Sequence, residues 1–136
     1  MENNLKEEIW SNDIHIATIV RPNLTDDGLS FFTSDENFIQ VGIWNYEKGK
    51  VLPTHYHNTF SREATKTNES IYVIKGKLKC NLYLENGEII SSHIINEGEM
   101  IIQFNGAHEY IVEENCIVVE NKNGPYFGPE VDRTRI

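Results

Sequence analysis

Two histidines one residue apart, His55 and His57, are followed by a carboxylate at Glu69 and, well downstream, by a third imidazole at His108. On an extended segment side chains alternate faces, so a His-x-His pair turns both rings to one side. Glu69 opens the run Glu69-Ser70-Ile71-Tyr72-Val73-Ile74-Lys75-Gly76, which reads as the next strand bounded by a glycine turn. His108 ends the run Gly98 to His108, a pattern of strand, glycine turn and histidine at the start of the following strand. Three neutral imidazoles and one carboxylate suit one divalent transition metal, Fe(II), Mn(II), Ni(II) or Zn(II), with further positions open to water or substrate. Donors carried on several strands of a barrel are held without ordering a loop.

Other side chains fall near this set. Arg62 has the fork to hold a substrate carboxylate or phosphate, and the plainer reading is a solvated loop cation. Tyr110 lies two residues after His108 and should share its face, either lining the pocket or packing in the core. Glu120 ends a strand, pointing into the barrel mouth or into solvent. His15 and His93 fit no motif and are expected to be structural or exposed, and Trp44 and Phe104 to be core residues. A glycine-rich phosphate loop, a Gly-x-Ser-x-Gly elbow and an HExxH helix are all absent from the sequence.

The elements that must position these residues are strands. Residues 14–20, 38–46, 71–74, 77–84, 88–95, 100–104, 108–112 and 116–120 each show alternation or β-branched enrichment, at a spacing of about ten residues. Glu85-Asn86-Gly87 and Asn96-Glu97-Gly98 supply turns between them, and Lys75-Gly76 reads as a hairpin turn. Residues 22–35 and 58–68 read as loops, residues 1–12 as an N-terminal arm of weak helical character, and the Gly- and Pro-rich tail from 121 as no central strand. The expected fold is an all-β sandwich or barrel.

The motifs resemble those of the cupin superfamily. Gly49, His55, His57, Glu69 and Gly76 look like its first motif, and Gly98, Gly106 and His108 like its second. The resemblance covers residues 38–120 and implies a double-stranded β-helix (cupin jelly roll) barrel, with the metal inside bound by His55, His57, Glu69 and His108. Two features depart from the family pattern. Glu69 stands twelve positions after His57, which leaves Glu63 in the intervening loop as an alternative ligand. The second motif reads Phe104-Asn105-Gly106-Ala107-His108, without the usual proline and one residue shorter. Glu69 is preferred for its spacing to Gly76 and its place at a strand start. The chain is also similar to small single-domain cupins associated with surface-polysaccharide or modified-sugar synthesis. That similarity implies an isomerase, epimerase or dioxygenase acting on a small polar, sugar-derived substrate, and by analogy a homodimer. A non-catalytic metal-dependent binding module and a metal-free cupin using its histidines as acid and base are the alternatives.

Composition narrows the partners. The 136 residues carry 21 acidic against 12 basic side chains, a net charge of −9, which argues against nucleic acid or an anionic membrane as the main partner. No apolar run reaches the ~20 residues that span a bilayer, and the first residues lack a secretion-signal pattern, so a cytoplasmic, single-domain protein is expected. Cys80 alternates with Leu78, Leu82 and Leu84 and Cys116 precedes Ile117-Val118-Val119, which predicts two buried free thiols.

Overall fold

The computed structural model describes residues 5–22 and 27–136; part of the expected N-terminal arm and of the 22–35 loop lies outside them. The elements in chain order are β1 (Lys6–Ser11), β2 (Ile14–Val20), β3 (Gly28–Phe31), β4 (Gly42–Asn45), β5 (Glu69–Tyr83), β6 (Ile89–Asn96), β7 (Met100–Gln103), β8 (Ala107–Lys122) and a four-residue helix α1 (Pro129–Asp132). Strands β1-β2-β7-β5-β6 lie side by side in that order with β8 also paired to β5, while β3 and β4 form a separate hairpin. Every pairing is antiparallel. The chain is predominantly β, in a strongly curled half-barrel sheet.

The curl follows from where the apolar residues fall. One cluster joins Ile9 on β1 to Ile95 on β6, the two ends of the strand order, through Ile19, Ile71, Val73, Leu78, Cys80, Leu82 and Ile101. The sheet therefore wraps over that face, because only closure removes both ends' apolar surface from water. A second cluster of Leu5, Val20, Phe32, Ile102 and Phe104 lies on the outer side, with Ile39, Val41 and Ile43 packed against it. Alternation along β7 feeds both clusters: Ile101 faces inward and Ile102 outward, and both are fully buried.

Several expectations are revised. Residues 6–11 form β1, paired with β2, rather than a helical arm. Lys75-Gly76 is not a hairpin turn: β5 runs unbroken for 15 residues, pairing first with β7 and later with β6. The bend shows instead as register shifts against β8 around Lys75 and Lys77. Gly76 sits there at φ +96°, and a Cβ would lie 2.2 Å from the Asn115 carbonyl oxygen, so neither the backbone nor the space admits a side chain. Likewise 108–112 and 116–120 are one 16-residue strand, β8. The second expected strand shrinks to Gly42–Asn45, and β3 appears inside the expected 22–35 loop. The Asn86-Gly87 and Asn96 to Gly98 turns occur as read, with Gly87 at φ +92° and Gly98 at φ +82°.

Candidate functional site

The register of β5 against its neighbours sets which side chains meet. Directly opposed residues of an antiparallel pair share a face. Glu69 opposes Gln103 on β7 and Lys122 on β8; Ile71 opposes Glu120, Cys80 opposes Tyr110, and Leu82 opposes His108. Cys80 and Leu82 belong to the inner cluster, so His108 and Tyr110 face inward with them. Bending of β5 at Gly76 then brings its first residue to the far end of the β8 pairing. His108 Nε2 lies 3.1 Å from Glu69 Oε1, with Glu69 buried and His108 partly exposed.

The surroundings of Glu69 determine its charge. Burial works to raise its pKa; the hydrogen bond and charge of His108, a hydrogen bond with Glu120 and the Lys122 ammonium together bring it below the ordinary carboxylate value. Tyr110 packs against the inner cluster with its ring 5.4 Å from that of His108, and its hydroxyl is bonded to the Gln103 amide. Burial, and then the neighbouring Cys80, Glu69 and Glu120, hold the phenol protonated well above its usual range. Burial pushes the Cys80 thiol up to about 12, and the Gln103 amide also reaches its sulfur at 3.8 Å. Cys80 is a free, fully buried thiol as expected, whereas Cys116 is free but only half-buried.

Two residues that sequence reading passed over matter here. Gln103 interrupts the apolar run Met100-Ile101-Ile102 at an inward position and ties Tyr110 in place; a polar residue with the parity of buried Ile101 was the available signal. Asn68, 3% exposed, accepts from Phe38 N–H, donates to the Phe104 carbonyl and pairs through its backbone N–H with the Asn123 side chain. It clamps the chain immediately before Glu69.

The remaining expected residues lie elsewhere. Every residue from 44 to 66 is exposed, and 50–65 form no strand. His55 and His57 stand on this arm with ring centroids 5.2 Å apart, and His55 Nδ1 is 2.9 Å from the Pro53 carbonyl oxygen. Arg62 stacks on the Phe60 ring at 3.8 Å. Glu63, the alternative carboxylate, is exposed there as well. Glu120 borders Glu69 and pairs with Lys122 at 3.7 Å. His15 is structural, stacked on Trp10 at 4.4 Å and bonded to Thr18; His93 bonds to Ser91. Phe104 is core, but Trp44 is 65% exposed: among the described residues β4 belongs to the two-stranded sheet with β3. A cleft of about 330 Å³ between residues 64–67 and the tail, including Lys66, Lys122, Tyr126 and Asp132, contains none of the expected metal ligands.

The donors can be tested against a metal's needs. Two ligands about 2.1 Å from one ion and roughly at right angles stand about 3 Å apart, which is the Glu69–His108 separation. Among the described residues no three His, Cys, Asp or Glu side chains gather to hold an ion. The four expected ligands fall into two pairs, one on the curled sheet and one on the arm. No protein-family model matches the chain, and no characterised protein or solved structure matches it. No helix among the described residues is long and apolar enough to cross a membrane.

Proposed function

We propose that the chain is a cupin-type protein that acts on a small polar molecule with the help of a divalent transition metal, and that its own sheet supplies half of the site. The observation that carries this reading is the meeting of Glu69 and His108. Both were singled out by residue type, motif glycines and strand context, Glu69 in preference to Glu63, and they come together at 3.1 Å on the inner face of a curled sheet. A solvent-reachable imidazole anchored to a buried carboxylate can orient a ligand or move a proton. Gln103 bonds to the Tyr110 hydroxyl and Glu120 pairs with Lys122 close by, and in this reading these side chains would meet a polar ligand. The reaction class, isomerisation, epimerisation or oxygenation, and a sugar-derived substrate rest on the motif resemblance.

The second reading, a metal-dependent binding module, is favoured by the arm: a site half of whose donors stand apart suits capture as well as turnover. Elemental analysis of the purified protein, followed by oxygen-uptake and metabolite screening, separates the two. The enzyme reading expects bound Fe, Mn, Ni or Zn and turnover that His108→Ala abolishes; the module expects stoichiometric binding only. Protein that never takes up a transition metal, with His108→Ala indistinguishable from wild type in every ligand screen, sinks both.

A further inference from the structure

Strand β8 and the arm are each half of an interaction that the single chain does not make. Among the described residues β8 pairs with β5 alone, so its other edge is open along 16 residues. It is apolar as well as open: Ile111, Val112, Ile117, Val118 and Val119 are each between 39% and 62% exposed. A long unpaired edge with apolar side chains is a template for another strand, and the irregular register around Asn115 divides this one into two stretches. The arm has the complementary defect. Val51, Leu52, Tyr56 and Phe60 are 40% to 85% exposed, and among the described residues the polar and ring contacts of residues 49–63 stay within the arm and its base: Lys50 on Tyr46, His55 on Pro53 and His57, Arg62 on Phe60. A structureless excursion of this length in a compact domain is uncommon unless it has a function.

We infer that the arm of one chain adds as a strand to the β8 edge of a second copy, reciprocally, so that His55 and His57 of each chain are delivered to the Glu69–His108 pair of the other. The occupant is a second copy because edge and arm are carried by the same chain, and an exchange of identical elements about a two-fold axis satisfies both at once. Charge agrees. β8 carries Glu109, Glu113, Glu114 and Glu120 against Lys122, while the arm carries Lys48, Lys50 and Arg62 with the two histidines against Glu47 and Glu63. Glu109 and Glu113 have no cationic partner of their own among the described residues. The ends of the arm are fixed, Asn45 by β4 pairing and Asn68 by its bonds to Asn123 and Phe104, so exchange requires no refolding of the sheet. The delivery of the histidines rests on the proposed metal site; the strand exchange does not.

The full chain is examined at tens of micromolar without added metal by light scattering after size exclusion. Twice the chain mass of 15.7 kDa is expected, with amides of residues 50–60 protected from hydrogen exchange, and this protection lost on dilution as the dimer dissociates. A monomer, or arm protection independent of concentration, overturns the exchange, since the arm would then close on its own sheet. Replacing residues 50–64 by a short Gly-Ser link should give a folded monomer; a dimer persisting without the arm also overturns it. The shared site is tested with Ni(II) on co-expressed chains, one His55→Ala/His57→Ala and the other Glu69→Gln/His108→Ala. Each alone should lose tight Ni(II) binding at least tenfold, and the mixed dimer should recover one ion per pair. An arm-dependent dimer whose mixed form and wild type both ignore Ni(II) keeps the exchange and discards the metal reading. A monomer that binds Ni(II) through all four donors does the reverse.

Discussion

Strands β7 and β8 both pair with β5, yet they sit in opposite environments. β7 is buried on its two faces, with Ile101 in the inner cluster and Ile102 in the outer, and it has neighbours on both edges. β8 is four times as long, pairs among the described residues on one edge only, and has most of its residues exposed. Stability is therefore concentrated where β2, β7 and the first half of β5 meet, while the surface able to receive a partner lies along β8. The expected ligands split along the same line: Glu69 stands beside the most buried strand, and His108 begins the exposed one.

The largest effect expected is at the bend that lets β5 serve both strands. Gly76→Ala puts a Cβ against the Asn115 carbonyl at a positive φ, a backbone clash plus strain worth about 4 kcal/mol. Gly49→Ala, also at positive φ but with nothing within 4 Å, should cost only about 1 kcal/mol. Equal denaturant midpoints for the two variants would mean that the bend is not tight. Next comes Ile101→Ala on β7, where a fully buried side chain is lost and about 3 kcal/mol should go with it. Val112→Ser on β8, 62% exposed, should change the stability of dilute protein by about 0.5 kcal/mol or less. A loss as large as that of Ile101→Ala would make β8 part of the core.

Acid gives a smaller test. The folded pKa of Glu69 lies below its ordinary value, so its contribution is complete above the unfolded pKa of ~4.3 and disappears as pH falls through the folded one. His15 and His93, whose burial lowers their pKa values, act with the same sign: stability present above ~6.5 declines as pH drops and the unfolded imidazoles take up protons. In His108→Ala the burial of Glu69 would no longer be offset by its partner, and the acid-unfolding midpoint should move to higher pH. A midpoint unchanged from wild type would show that the pair does not set the charge of Glu69.

The sequence carried much of this. Residues 14–20 are β-branched and alternating, and β2 covers the same range; Asn86-Gly87 and Gly98 mark turns through the φ values that those residues tolerate. Glu69 and His108 were legible because motif glycines position them: Gly76 bends β5, and at Gly106 a Cβ would lie 2.5 Å from the Tyr83 carbonyl, just before His108. The errors share a physical cause. Lys75-Gly76 has turn composition, but whether a glycine reverses a strand or bends it depends on the partner across the sheet. β1 has a single buried residue in the middle of Lys-Glu-Glu-Ile-Trp-Ser, Ile9, so its pattern is too faint to read. The histidine segment has strand composition and no strand, since pairing is decided by a distant edge that composition does not reveal.

Cys80 has one last consequence. Its sulfur is enclosed on the inner face, and its proton is held to about pH 12, so a thiol-alkylating reagent meets almost no thiolate there until the half-barrel opens. Cys116, on β8 and only half-buried, is reachable through much smaller excursions. The chain thus contains its own pair of chemical clocks, a slow one timing the opening of the whole sheet and a fast one timing the fraying of its free margin.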